Sequence, residues 1–147
     1  MKVHVIITAT FMALMTFVLR DATSMDLKQF QWKHRLLLIF AMDENDPPFK
    51  KLQDEIIAQK AEVENRDLLV FEFFERGLSR MNTTPLDSVE VHSIRKHYEI
   101  PQSAFKVILI GKDGGVKLKQ DDTVSLEVIF ERIDAMPMRK NEILMGK

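Results

Sequence analysis

Apolar and polar positions along this chain alternate between two periods, and the changes of period divide it into strands and helices. Arg35-Leu-Leu-Leu-Ile-Phe-Ala41 is a continuous apolar run bounded by charge. Such a run is the pattern of a strand buried on both faces of a parallel sheet. Asp46-Pro47-Pro48 then marks a helix start, with Asp46 as N-cap and proline tolerated in the first turn. Phe49, Leu52, Ile56 and Val63 recur at helical spacing, while Lys50, Lys51, Asp54, Glu55, Lys60 and Glu64 take the surface. Asn65-Arg66-Asp67 breaks the helix, and Leu68 to Phe74 returns as a second strand. A strand, helix and strand of this length predict a right-handed crossover between parallel strands.

Glu75 to Asp87 reads as a loop, punctuated by Gly77 and Thr83-Thr84-Pro85. Asp87-Ser-Val-Glu90 has the spacing of a capping box and opens a helix carrying Val91, Ile94 and Tyr98. Pro101 ends that segment. A third strand, Lys106 to Ile110, meets a fourth, Gly115 to Lys119, through Lys112-Asp113-Gly114, whose Asp-Gly pair permits the positive φ of a tight hairpin. Ser125 caps a last helix with Leu126, Ile129, Phe130 and Ile133 facing inward. The order β-α-β-α-β-β-α predicts an α/β fold, a thioredoxin-like three-layer sandwich around a mixed four-stranded central sheet. In the second strand, alternation places Phe74 on the face opposite Phe71 and Phe73. With helices on both sides of the sheet, all three are expected in the core.

The N-terminal segment has a different character. Lys2 precedes the apolar stretch Val5 to Leu19, which Arg20 and Asp21 close, and Ala22-Thr23-Ser24 offers the small residues a signal peptidase reads. The stretch is shorter than the roughly 20 residues that span a bilayer. The expectation is a signal peptide over 1–24, a lead-in over 25–34, one domain over 35–139 and a tail over 140–147. The protein is then exported, periplasmic or secreted, with no stable membrane insertion after cleavage. The net charge of −1 is too balanced for the concentrated basic face that nucleic acid requires. Partners are therefore sought among proteins and other envelope ligands.

Two segments resemble one family. Trp32-Lys-His-Arg-Leu-Leu-Leu-Ile-Phe-Ala41 leads into the acidic Asp43-Glu-Asn-Asp-Pro47, and Ile110-Gly-Lys-Asp-Gly-Gly-Val-Lys-Leu118 precedes Ile133-Asp-Ala-Met-Pro-Met-Arg139. Both are similar to sequences of the DUF4174 family, found in exported bacterial proteins and in vertebrate secreted sushi-repeat and matrix proteins. The resemblance implies a thioredoxin-like fold and export, but no reaction.

Candidate chemistry is sparse. Thioredoxin-like enzymes hold a reactive thiolate after the first strand, where the helix dipole and free amides stabilise it. This chain has no cysteine, which excludes self-contained thiol redox chemistry and disulfide staples. Ala41 to Pro48 stands in that place, with Asp43, Glu44, Asn45 and Asp46 as a candidate binding loop. Hard cations want several converging oxygens, yet the spacing matches no EF-hand loop, so a solvated, helix-capping loop is expected and no metal or cofactor is assigned. His34, His92 and His97 lack the i,i+4 spacing of paired ligands. No nucleophile elbow, phosphate loop or dinucleotide fingerprint occurs. No residue is assigned as catalytic. Met136, Pro137 and Met138, read as the end of the last helix, form a candidate contact patch of flexible apolar side chains. A non-catalytic binding domain is the leading reading; a redox-related or metal-dependent enzyme using the acidic loop is the alternative. A histidine in one pocket with that loop would favour the enzyme.

Overall fold

The computed structural model describes residues 25–146; the signal-peptide expectation for 1–24 lies outside the described residues. A 3₁₀ turn at Leu27–Phe30, capped by Asp26, leads into β1 (Arg35–Ala41). Then follow α1 (Pro47–Ala58), α2 (Lys60–Asn65) and β2 (Leu68–Phe74). Two short strands, β3 (Arg80–Met81) and β4 (Thr84–Pro85), precede α3 (Ser88–His97). The hairpin β5 (Lys106–Ile110) and β6 (Val116–Gln120) leads to α4 (Leu126–Asp134) and α5 (Pro137–Leu144).

The strands form one sheet in the order β4-β3-β2-β1-β5-β6. β1 and β2 are parallel, joined by the helical crossover, while β5 runs antiparallel to β1 and β6 antiparallel to β5. One face packs Leu37, Ile39, Val70 and Phe74 against Phe49, Leu52, Val63 and the α4 residues Leu126, Ile129, Phe130 and Ile133. The other packs Leu36, Leu38, Phe40, Phe71 and Phe73 against Leu86 and Ile94. The alternation expected in β2 is thus realised: Phe74 lies on one face, Phe71 and Phe73 on the other.

The expected four-stranded sheet is corrected to six strands. β3 and β4 arise in the segment read as loop, where Asn82 turns the chain with φ of 50°. Its amide donates to the Val70 carbonyl and its side-chain oxygen accepts from the Val70 amide, so it fastens this small hairpin to the edge of β2. Two-residue strands carry no periodicity, which is why the pattern did not reveal them. The long first helix is likewise two helices, because Gln59 departs from helical geometry (φ −116°, ψ 32°).

The third correction concerns the C-terminus. Met136-Pro137-Met138 begins a helix rather than ending one: Met136 is the N-cap of α5 and Pro137 its first residue, the position where the missing proline N–H costs nothing. Residues 140–144, read as tail, therefore belong to α5. In the β5–β6 turn only Gly114 takes a positive φ, of 82°. Its amide donates to the Gly111 carbonyl, closing a turn through Lys112 and Asp113.

The capping box of α3 is formed as expected: Asp87 Oδ1 accepts from the Glu90 amide at 2.8 Å and Glu90 Oε2 from the Asp87 amide at 2.9 Å. Asp87→Ala removes one of these bonds and should lower stability by about 1 kcal/mol, measurable by urea denaturation. No helix among the described residues is long and apolar enough to cross a membrane.

Candidate functional site

The loop that follows β1 lies at the C-terminal end of the parallel pair, and its polar groups are turned to local partners. Asp43 Oδ1 accepts from the Asn45 amide at 2.9 Å, and Asp46 Oδ2 accepts from the Met42 amide at 3.3 Å. Asp46 occupies the N-cap position of α1, but its carboxylate makes no capping bond to the helix. Asp43 faces Arg76 at 3.8 Å and Glu44 pairs with Arg80 at 2.5 Å. Arg80 also contacts the carboxylate of Glu72, a nearly buried charge in the middle of β2. Burial pushes the Glu72 carboxyl up, with the opposing pull of Arg80 smaller than that effect. Two of the loop's three carboxylates are therefore paired with arginines, and a cation placed there would meet two guanidinium charges. Among the described residues no group of three histidines or acids is arranged to hold a metal ion.

Beside this loop opens a cleft of about 840 Å³ between α3 and the segment Phe74–Ser79. Its walls include Leu78, Leu86, Val91 and Ile100, and Glu75, His92 and Arg95 line it as well. The loop touches the cleft's rim, because the Glu75 amide donates to the carbonyls of Ala41 and Met42, and the Arg76 amide to Met42. Ser79 closes the floor: its buried hydroxyl accepts from the Phe74 amide at 2.9 Å.

Asp43, Glu44, Asn45 and Asp46 are thus brought together, but they are held apart from the histidines. His34 lies before β1, at the opposite end of a strand whose seven residues span roughly 20 Å. His34 and His97 line a second cleft and His92 the first, and neither cleft includes a residue of the 43–46 loop. Met136, Pro137 and Met138 sit beyond α4; Met136 packs on the core and Met138 is exposed. The neighbouring Arg139 donates to Asn65, just before β2. This patch is therefore at the opposite end of the sheet from the acidic loop.

Sequence reasoning missed Arg95, Glu75, Arg80 and Glu72. Two signals were present. Arg95 follows Val91 by four residues, which places it on the inward stripe of α3. Glu72 interrupts an apolar run assigned to a buried strand, and a charge there requires a partner.

A cysteine-free α/β domain of thioredoxin-like architecture, with a cleft of about 840 Å³ beside the C-terminal ends of the parallel strands, is what these elements build. The family model described as Domain of unknown function (DUF4174) matches residues 26–142, and the chain belongs to that family. Coiled-coil domain-containing protein 80 of Danio rerio is 26% identical over 133 residues, covering 80% of this chain and 15% of its own length. The chain thus spans about 15% of that relative. Among solved structures, the reduced 2-Cys peroxiredoxin of Plasmodium vivax is similar with a TM-score of 0.56 at 17% identity, over 80% of this chain and 85% of that one. The mitochondrial 2-Cys peroxiredoxin of Plasmodium falciparum gives 0.55 at 15% identity, over 76% and 80%. At such identities the likeness bears on the fold alone.

Proposed function

We propose that this chain is an exported, non-catalytic binding domain that uses the end of a thioredoxin-like scaffold as a recognition surface. One observation carries the reading. The place after β1 where a thiol would act holds a loop whose carboxylates are bonded locally or paired with arginines, while a cleft with apolar walls lies open beside it. Clefts of this size lined by apolar groups with a few polar ones are the usual form of a ligand site. Asp43, Glu44, Asn45 and Asp46 belong to the rim of that surface, and Met138 to a separate contact on α5. The charged, apolar and small-residue succession over residues 1–24 supports export, so the ligand or partner protein is met outside the cytoplasm.

A thermal-shift series on the full chain tests this. Magnesium, manganese and zinc should leave the midpoint unchanged, whereas a fraction of envelope extract should raise it by mass action. Leu78→Asp, at an exposed wall of the cleft, should abolish that rise. A midpoint raised by a metal, with the rise lost in Asp43→Ala, would replace the binding reading by a metal-dependent enzyme.

A further inference from the structure

Arg95 differs from the other partly or wholly buried arginines in how long its hydrogen bonds are. Arg35, Arg66, Arg80 and Arg139 each make a hydrogen bond of 3.0 Å or shorter. The Arg95 guanidinium, whose side chain is 14% exposed, makes none below 3.4 Å. Its Nη1 reaches Glu75 at 3.4 Å, and its Nη2 reaches the carbonyls of Ala41 at 3.4 Å and Phe73 at 3.5 Å. Well-formed N–H···O bonds run from about 2.7 to 3.2 Å. Its Nε is buried with no hydrogen-bond partner. Glu75, the carboxylate that faces Arg95 among the described residues, also accepts at the same Oε1 from the Ser103 amide. Burial holds the Arg95 pKa below the ordinary guanidinium value, with Glu75 offsetting this only in part.

This incompletely satisfied cation lines the cleft whose walls are Leu78, Leu86, Val91 and Ile100. A buried donor without a partner costs free energy comparable to a lost hydrogen bond, and a ligand acceptor that turns the guanidinium toward the cleft recovers it. The geometry points to Arg95 as the anchor of a carboxylate subsite, and to an organic monocarboxylate with an apolar body as the ligand class of the cleft. The guanidinium fork matches the two oxygens of a carboxylate. The apolar walls take the rest of the molecule. Glu75 and Glu99 line the same cleft as Arg95 and Lys96, so its fixed charges balance, and a monocarboxylate adds less excess negative charge there than a dianion such as a phosphate monoester. This assignment rests on the binding reading above and names its ligand chemistry.

The test uses octanoate and 1-octanol as probes of the full chain, followed by amide chemical shifts. Octanoate should bind saturably, perturb Leu78, Ser79 and Val91, and bind about tenfold tighter than octanol, as a charge-assisted pair predicts. Arg95→Gln should remove that preference. Leu78→Ser should weaken both probes equally. If Arg95→Gln does not fold, Arg95→Lys decides: it keeps the charge but loses the fork, so the preference should fall several-fold. Equal binding of the two probes, no saturable octanoate binding, or a preference untouched by the Arg95 variants overturns the assignment. Should octanoate fail while an extract fraction still raises the midpoint in a Leu78-dependent manner, the carboxylate assignment falls alone. Should both fail, the binding reading falls with it.

Discussion

Replacing Glu142 with alanine should destabilise the domain by about 3–5 kcal/mol, the cost of leaving a buried charge uncompensated. The Arg35 side chain is wholly buried, and Glu142 receives its Nη1 at 3.1 Å and Nη2 at 3.2 Å. The same carboxylate takes Lys112 Nζ at 2.7 Å and lies 3.5 Å from Arg139. Removing it leaves Arg35 with the Arg66 carbonyl at 2.8 Å and Lys112 with Asp67 at 2.7 Å, so both cations keep a hydrogen bond but lose their shared counter-charge. Urea unfolding measures the loss. The double variant Arg35→Met, Glu142→Leu should return most of it, because apolar replacement of a whole buried pair is often neutral; a double variant as unstable as the single one would contradict this account.

The same contact sets an acid limit. Partial burial pushes the Glu142 carboxyl up, but hydrogen bonds from Lys112 and Arg35, together with their charges, hold it below the ordinary glutamate value. A carboxyl depressed in the folded state binds fewer protons there than in the unfolded chain. Its contribution is therefore fully present above the unfolded pKa and is lost as pH falls through the folded one. The Glu142→Ala protein should accordingly show a flatter decline of stability below the ordinary glutamate range than the parent.

Phe40→Ala should cost about 3–5 kcal/mol, the range for removing a buried phenylalanine ring. Phe40 stacks on Phe73 at 4.8 Å between centroids with planes 14° apart, and Phe73 in turn stacks on Phe71 at 6.0 Å. All three rings are fully buried, so the vacancy cannot be filled from solvent. The effect also reaches the cleft, because the Arg95 guanidinium lies 5.6 Å from the Phe40 ring. Loss of that ring should move the amide signals of the cleft residues Val91 and Ile100 as well as lower the unfolding midpoint. A variant with parental stability would mean the neighbouring rings close the gap.

Much of the framework was legible because its pattern is local. β1, β2 and β5 are largely apolar runs, interrupted within β2 by Glu72, and a strand buried on both faces declares itself by composition. The inward residues of α4 were readable from spacing, and its Ser125 cap and the Asp87–Glu90 box from residue type at fixed offsets. Where the chain misled, the determinant was short or distant. The β3–β4 hairpin is too brief for a period. Met136-Pro137-Met138 looked like an ending because proline stops helices as readily as it starts them. Only the docking of Glu142 against Arg35 and Lys112, 107 and 30 residues away, shows that a helix follows.

The site divides in the same way. The absence of cysteine settled from composition alone that no thiol acts after β1, since chemistry requires the atom. The acidic loop was also visible, as four consecutive polar residues before a double proline. That Asp43 and Glu44 are neutralised by Arg76 and Arg80, and that Arg95 borders a cleft with its Nε unpartnered, could only follow from the tertiary structure. Charge pairing and solvent exclusion depend on distances between segments remote in sequence, and hydrophobic periodicity carries no information about them.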